Sequence, residues 1–465
     1  MSPPSATFPL LGCDASAVAT IVVAYRGGAP IYADEYLRDV HSVAQNLPIA
    51  KYVLNVCGDR YNIAVLLAAV MLKNKISLLP PNTAARTLQA LVESYGDVVI
   101  IGDDISVGAG NQIPAFVNAI SLESLVEPQF TGSTPNPAFP GEQLVGILFT
   151  SGSTGEPTPN PRTWGALCAG VRAEAKALML DELCQEGTLA ILGTVPAQHS
   201  YGLESTLALP LQNGYALSAD QSFYPTDIAV ALSRMPRPRV LVTTPFHLKL
   251  LLDAEGINLP KLDLVVSATA PLSPQLALQA EAVFAAPVRE IYGCTEAGQI
   301  ASRRTTEGEA WTLFPNVRLE KRGDTTWAAD GHVGDARALG DVIEITSDQQ
   351  FLLHGRAGDL INVAGKRTSL AHLNFHLNSI DGVDDGVFVM PSITDDGLIV
   401  RLTAYVVTRT LTAAQILVAL RLRIDAVFLP RPIRLVSELP RNHTGKLTQQ
   451  AMAELSSEKV ASASK

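Results

Sequence analysis

Cysteine is scarce. Five residues (Cys13, Cys57, Cys168, Cys184 and Cys294) are scattered over 465 positions with no CxxC pair. That spacing argues against a disulfide framework and a structural zinc site, and it fits reduced thiols. Positive charge is also short. The 35 Lys and Arg are outnumbered by 45 Asp and Glu, so a general nucleic-acid or membrane-surface binder is not expected. An anionic substrate must instead meet a local positive site. No apolar run is long enough to span a bilayer. The longest, Ile63 to Leu72, is bracketed by Asp59, Arg60 and Lys73 and reads as a buried helix. The chain opens with no basic segment followed by an apolar core, so a cytoplasmic location without stable membrane insertion is expected. Neither GxxxxGK[ST] nor GxGxxG occurs, which removes the Walker loop and the generic dinucleotide-binding fingerprint.

What is present is a strand–helix rhythm. Lys51 to Val56, Ile76 to Leu79, Val98 to Ile101, Leu144 to Phe149, Leu189 to Thr194, Val240 to Thr244, Leu264 to Ser267 and Val288 to Tyr292 read as buried strands. Helical patterns lie between them, as in Thr163 to Met179 and Pro274 to Phe284. This predicts an α/β class of stacked layers with parallel strands. Phe130 to Gly141 reads as a loop, and Gly308 to Glu344 as a smaller β subdomain with Gly/Asp turns. After Gly355 the texture changes to a compact α+β unit. The expected division is 1–357 and 358–465.

The segment with most chemical content is Thr150 to Pro157, TSGSTGEP, directly after the Leu144 to Phe149 strand. Glycine permits close approach and positive φ, so such a loop can turn its backbone N–H groups toward an oligophosphate. Alone, such a Ser/Gly loop is more often a plain turn. Further segments follow in fixed order: VPAQHSYG from Val195, SATAPL from Ser267 and YGCTEAG from Tyr292. Asp341, then GRAGDLINVAGKR from Gly355 and LPRNHTGKL from Leu439, complete the series.

Together these segments resemble the adenylate-forming superfamily of acyl- and aryl-CoA synthetases, peptide-synthetase adenylation domains and luciferases. The likeness is nearest to aryl and acyl ligases that load coenzyme A or a carrier protein. The resemblance implies a large adenylating domain and a small mobile C-terminal domain. It implies two half-reactions: formation of an acyl-adenylate from a carboxylic acid and ATP, then transfer to a thiol. By resemblance, Thr150, Ser151, Gly152, Ser153, Thr154 and Gly155 hold the β- and γ-phosphates. Thr295 meets the α-phosphate, Glu296 binds Mg²⁺, and Tyr292 covers adenine. Thr269, Ala270 and Gly293 line the nucleotide and acyl pockets. Asp341 takes the ribose hydroxyls, a task suited to a carboxylate, with Arg356 assisting and Arg367 completing the motif. Lys446 bridges the attacking carboxylate and the α-phosphate as the catalytic lysine. The alternative for Lys446 is a solvated surface amine.

The resemblance also makes His199 a catalytic-side gate. It places His199, Ser200, Thr244, Ser267, Thr269, Gly293 and Ile300 around the acid. The segment Val195 to Glu204 carries no aspartate for an α-amine, and Glu204 falls beyond the expected position, so an acid without an α-amino group is expected. A hydroxybenzoate-type acid is favoured, as a starter unit in a pigment- or polyketide-like pathway. The alternatives are a medium- or long-chain fatty acyl substrate, a non-catalytic nucleotide-binding homologue and an oxidative luciferase-like enzyme. Two departures stand out. The loop lysine that should follow Pro157 is Thr158, leaving Arg162 as the candidate for the missing charge, or else a weaker grip on pyrophosphate. The pivot position is Gly358, followed by Asp359. Glycine absorbs large backbone rotations readily.

Overall fold

The computed structural model describes residues 6–12, 19–103, 119–127, 129–151, 157–184, 187–356, 360–363, 366–390 and 402–441. Among these residues two large sheets dominate. The first has six strands in the order Pro157–Thr163, Leu144–Ser151, Ile76–Leu79, Tyr52–Asn55, Val98–Gly102 and Ala119–Ser121. All its neighbours are parallel except the first pair, an antiparallel hairpin. The second has eleven strands. Its centre is a parallel run: Val22–Arg26, Ala216–Ser218, Ala190–Gly193, Arg239–Thr243, Leu264–Ser267 and Val288–Cys294. An antiparallel wing follows, through Gly298–Arg303, Trp311–Leu313, Gln350–Arg356 and Asp341–Ile345.

The central parallel strands are largely apolar because both faces are covered. Val240 and Val242 enter the main core while Leu241 points into a second one, and Leu264, Val265 and Val266 alternate likewise. In the first sheet Val53 and Leu79 enter the main core, whereas Leu54 and Leu78 face a third. The main core therefore lies between the two sheets. It is filled by the Arg60–Leu72 and Trp164–Ala177 helices and by the π-helix Leu203–Ala208. The predicted Ile63 to Leu72 helix is found, and it begins three residues earlier under an Asp59 cap whose side chain accepts from Asn62 N.

Three readings change. The Pro-rich stretch after the glycine-rich loop is a strand, Pro157–Thr163, that sequence reading did not assign. Within Phe130 to Gly141, Ala138–Pro140 pairs with Thr7–Pro9. The expected β subdomain is smaller than Gly308 to Glu344. Only Arg318–Arg322, Thr325–Asp330 and Gly334–Ala338 form a separate sheet, while the strands beginning at Trp311 and Asp341 join the large one. Beyond residue 360, the Leu370–Asn378 and Ala413–Arg421 helices and three strands enclose their own core of Leu373, Leu377, Phe388, Ile416 and Phe428. This unit meets the rest of the chain where Gln275 Nε2 donates to the Ser379 carbonyl at 2.9 Å and Lys249 Nζ donates to the Asp384 carbonyl.

Candidate active site

In open parallel sheets ligands settle beyond the carboxyl ends of the strands, because connecting loops leave a crevice there. Both sheets bring such ends together here. In the first sheet Leu79 lies opposite Leu148, so Pro80 and Pro81 run beside the last residues of the Leu144–Ser151 strand. His199 Nε2 lies 3.1 Å from the Pro81 carbonyl oxygen, and Gln198 Nε2 donates to the Cys57 carbonyl at 2.5 Å. The HSYG segment, which follows the Ala190–Gly193 strand of the second sheet, is thereby pinned to strand ends of the first. Gly202 is required for this: a Cβ there would lie 2.0 Å from the Pro196 carbonyl oxygen.

At the carboxyl end of the Val288–Cys294 strand the chain makes a bulge between Tyr292 and Gly293. A Cβ on Gly293 would lie 2.3 Å from the Gly298 carbonyl oxygen, so glycine is needed at this tight return. The bulge leaves Glu296 exposed and Thr295 half-buried at the strand's carboxyl end. Next to it, two residues past the Leu264–Ser267 strand, Thr269 holds φ +78°. A β-branched residue pays strain in that region, and such outliers collect at functional sites. Thr269 and Ala270 are exposed, and their strand lies in register with Tyr292's.

Tyr292 itself is nearly buried, with its hydroxyl donating to Asp341 Oδ2 at 2.7 Å. Its ring meets Trp311 at 5.7 Å and Phe351 at 5.5 Å. The Arg303 guanidinium sits 4.5 Å over Trp311 and is paired with the buried Glu290 carboxylate at 2.6 Å. Glu290 also accepts the Leu272 N–H at 2.9 Å, tying SATAPL to the same frame. Backbone register sets Arg356 directly across from Asp341. Trp311, Phe351, Arg303 and Glu290 were not singled out from sequence, because each acts through partners distant along the chain.

Several expected pocket residues have structural duties. Thr244 is buried and caps the Pro245–Asp253 helix, accepting from His247 N at 3.2 Å. Ser267 is fully buried. Ile300 does not line an open wall; it is fully buried in the main core. Arg162 departs most from expectation. It sits five residues along its strand from the hairpin tip, where Pro157 pairs with Ser151, about 17 Å at strand rise. Its Nη2 donates to Ser200 Oγ and to Glu204 Oε1, both at 3.1 Å. In this structure that guanidinium is therefore engaged by Ser200 and Glu204. Gly152, Ser153, Thr154, Gly155, Gly358, Asp359 and Lys446 lie outside the described residues, and of Thr150, Ser151, Arg356 and Arg367 the backbone alone is described.

Cys294 lies inside the motif, but burial first, and then the neighbouring Glu296, pushes its thiol up to about 12. It is protonated at neutral pH and offers no internal thiolate acceptor. Behind the site, burial pushes the Glu174 carboxyl up to about 8; Glu204 adds to this, and a hydrogen bond from Ser205 Oγ at 2.7 Å opposes it. The folded pKa lies above the ordinary value of 4.5. The native state therefore binds the extra proton, and stability falls as pH rises from about 4.5 to about 8. Glu174→Gln should remove this component. Denaturation midpoints at pH 5 and pH 8 should show a larger gain for the variant at the higher pH; an equal gain at both would contradict the buried-carboxyl account.

Comparison with known proteins places this geometry. The model of the family described as AMP-binding enzyme matches residues 60–356. A 4-coumarate–CoA ligase of Rhodobacter capsulatus is 31% identical over 313 residues, covering 66% of this chain and 75% of that protein. A 2,3-dihydroxybenzoate-AMP ligase of Bacillus subtilis is 24% identical over 368 residues, covering 70% and 66%. Among solved structures, the anthranilate CoA ligase AuaEII in complex with anthranoyl-AMP superposes with a TM-score of 0.79 at 16% identity over 98% of this chain and 99% of that one. The o-succinylbenzoate CoA synthetase of Bacillus subtilis, in complex with its acyl-adenylate, gives 0.78 at 16% identity over 96% and 98%.

Proposed function

Because the chain belongs to the AMP-binding enzyme family, we propose that it adenylates an aromatic carboxylic acid and passes the acyl group to a phosphopantetheine thiol. The observation that carries this reading is the Tyr292–Asp341 hydrogen bond at the same strand end as the exposed Glu296 beside Thr295, in a chain whose TSGSTGEP sequence follows directly on the Leu144–Phe149 run.

In the first half-reaction a carboxylate oxygen of the acid attacks the α-phosphorus of ATP, and the bond to pyrophosphate breaks. In the second, a thiolate attacks the acyl carbonyl and AMP leaves with the electron pair. The loop from Thr150 to Gly155 is assigned the β- and γ-phosphates, Thr295 the α-phosphate and Tyr292 the adenine. Asp341 and Arg356 are assigned the ribose. A magnesium ion suits the position, since one exposed carboxylate plus phosphate oxygens is its usual set and it neutralises phosphate charge when bound; Glu296 would hold it. Lys446 supplies the positive charge between acid and α-phosphate, and phosphoryl-type catalysis rests on such positioning and electrostatics. His199 closes the acyl side.

The relatives named for 4-coumarate, 2-succinylbenzoate and 2,3-dihydroxybenzoate support an aryl acid. The half-buried polar pair His199 and Ser200 supports one with a hydrogen-bonding substituent, of the hydroxybenzoate type. Coenzyme A is the acceptor named for several relatives; an acyl carrier protein offers the same thiol. We assign 1–357 to the adenylating part and 358–465 to a small part pivoting at Gly358 and Asp359. Gly358→Pro is then expected to block thioester formation while sparing pyrophosphate exchange, and equal loss of both would refute the pivot. The test of the function is thioester formation, followed by mass spectrometry, with ATP, Mg²⁺ and coenzyme A against a panel of aromatic, short-chain and long-chain acids. Turnover confined to long-chain acids would overturn the aryl assignment, and no turnover with any acid would favour a non-catalytic homologue.

A further inference from the structure

One buried carboxylate touches residues of three chain segments beside the proposed site. Glu204 lies on the π-helix Leu203–Ala208 and is 7% exposed. Its Oε1 accepts from Ser200 Oγ at 2.6 Å and from Arg162 Nη2 at 3.1 Å, while Oε2 accepts from the Gln299 backbone N–H at 3.2 Å. Ser200 adjoins His199 in the HSYG segment. Arg162 belongs to the strand that returns from the glycine-rich hairpin. Gln299 follows the Thr295–Gly298 return, and Gly298 turns at φ +78° with room for the carboxylate and guanidinium beside it. The far side of Gln299 is also fixed: its carbonyl oxygen is 2.7 Å from His332 Nε2, and its side chain reaches Ser205 Oγ at 2.8 Å.

A pair this buried, with side chains 14% and 9% exposed, is a poor device for stability alone. Desolvation offsets most of the attraction, and well-packed neutral replacements are often as stable. What an ion pair at a junction provides is register between the elements it joins. We propose that Glu204, with Arg162, is a positioning residue that holds the phosphate hairpin, the HSYG segment and the Thr295–Glu296 return in one frame for adenylate formation. This rests on the function proposed above. It also gives Arg162 a role other than gripping pyrophosphate: it keeps the hairpin's return strand fixed against the other two segments.

The decisive variant is R162M/E204Q in the full chain. The introduced amide can accept from Gln299 N and donate to Ser200 Oγ, so no buried polar group is orphaned, yet the tie to the hairpin strand is gone. The variant should unfold near the wild-type denaturant midpoint. Its kcat for acid-dependent pyrophosphate exchange should fall by roughly tenfold to 10²-fold, the scale of small misplacements of reacting groups. The KM for ATP should move little. Amide hydrogen exchange over residues 157–163 and 294–300 reports the tie without reference to activity, and it should quicken in both segments. If R162M/E204Q does not fold, R162M alone, which breaks the same tie and leaves Glu204 its hydrogen bonds from Ser200 Oγ and Gln299 N, supplies the same readouts. Wild-type kcat in a folded variant, unchanged exchange in either segment, or activity loss merely in step with lost folded protein would each overturn the proposal. A wild-type protein that exchanges pyrophosphate with no acid would count against the function instead, leaving the hydrogen-exchange arm to judge the tie.

Discussion

Lys446→Ala is expected to lower acid-dependent ATP–pyrophosphate exchange by about 10²–10³-fold, the usual loss when one preorganised charge is removed from a developing anion. Thioester formation from a supplied acyl-adenylate should survive, because that half-reaction begins after the phosphorus chemistry. The separation matters. A lysine that merely supported the small unit's packing would depress both steps together. Lys446 follows Gly445 in LPRNHTGK, and the described part of that segment is well anchored. Arg441 Nε and Nη2 grip the Asp385 carboxylate at 2.6 and 2.7 Å, and Leu439 packs with Val387, Val389 and Tyr405. Parallel rate measurements on ATP plus acid and on preformed adenylate plus thiol check the prediction; equal losses would remove Lys446 from the adenylation step.

Asp341→Ala should raise the KM for ATP by about 10–100-fold, from the loss of charge-assisted hydrogen bonds worth roughly 1.5–3 kcal/mol. Tyr292→Phe removes the other end of the 2.7 Å bond but keeps the ring and the carboxylate. It should cost only a few-fold. The ring remains held between Trp311 and Phe351, so any stacking surface for adenine is retained. Steady-state titration of ATP at saturating acid distinguishes the two. If Tyr292→Phe were as damaging as Asp341→Ala, Asp341 would be serving the tyrosine rather than a ribose.

The parts of the fold that were legible in the sequence are those written in local pattern. Parallel strands buried on both faces appear as short apolar runs, and Ile76–Leu79 and Leu264–Ser267 are found with the expected bounds. The Pro157–Thr163 strand was missed although its signal was present. Pro157, Pro159 and Pro161 recur with the strand period of two, so every missing N–H faces the same way, away from the paired strand. Proline is tolerated in that arrangement only at a sheet edge, and this strand is the edge of its sheet.

The site was legible where a motif carries its own geometry. Gly293 and Gly202 admit no other residue because backbone oxygens crowd the place of a Cβ. Tyr292 and Asp341, 49 residues apart, were named separately, and the sheet joins them. Arg162 and Glu204 show what sequence reading could not reach. Each had been noted, one as a displaced phosphate ligand and one as an acid beyond its expected position. Their salt bridge across 42 residues depends on how a hairpin strand packs against a π-helix. The same holds for the Glu290–Arg303–Trp311 support beneath Tyr292.

The most direct test of the account is acid-dependent ATP–pyrophosphate exchange by the intact chain without any thiol, across hydroxylated benzoic and cinnamic acids. Exchange stimulated by such an acid and dependent on Mg²⁺ is the predicted result. ATP that binds while no acid of any class stimulates exchange would contradict it.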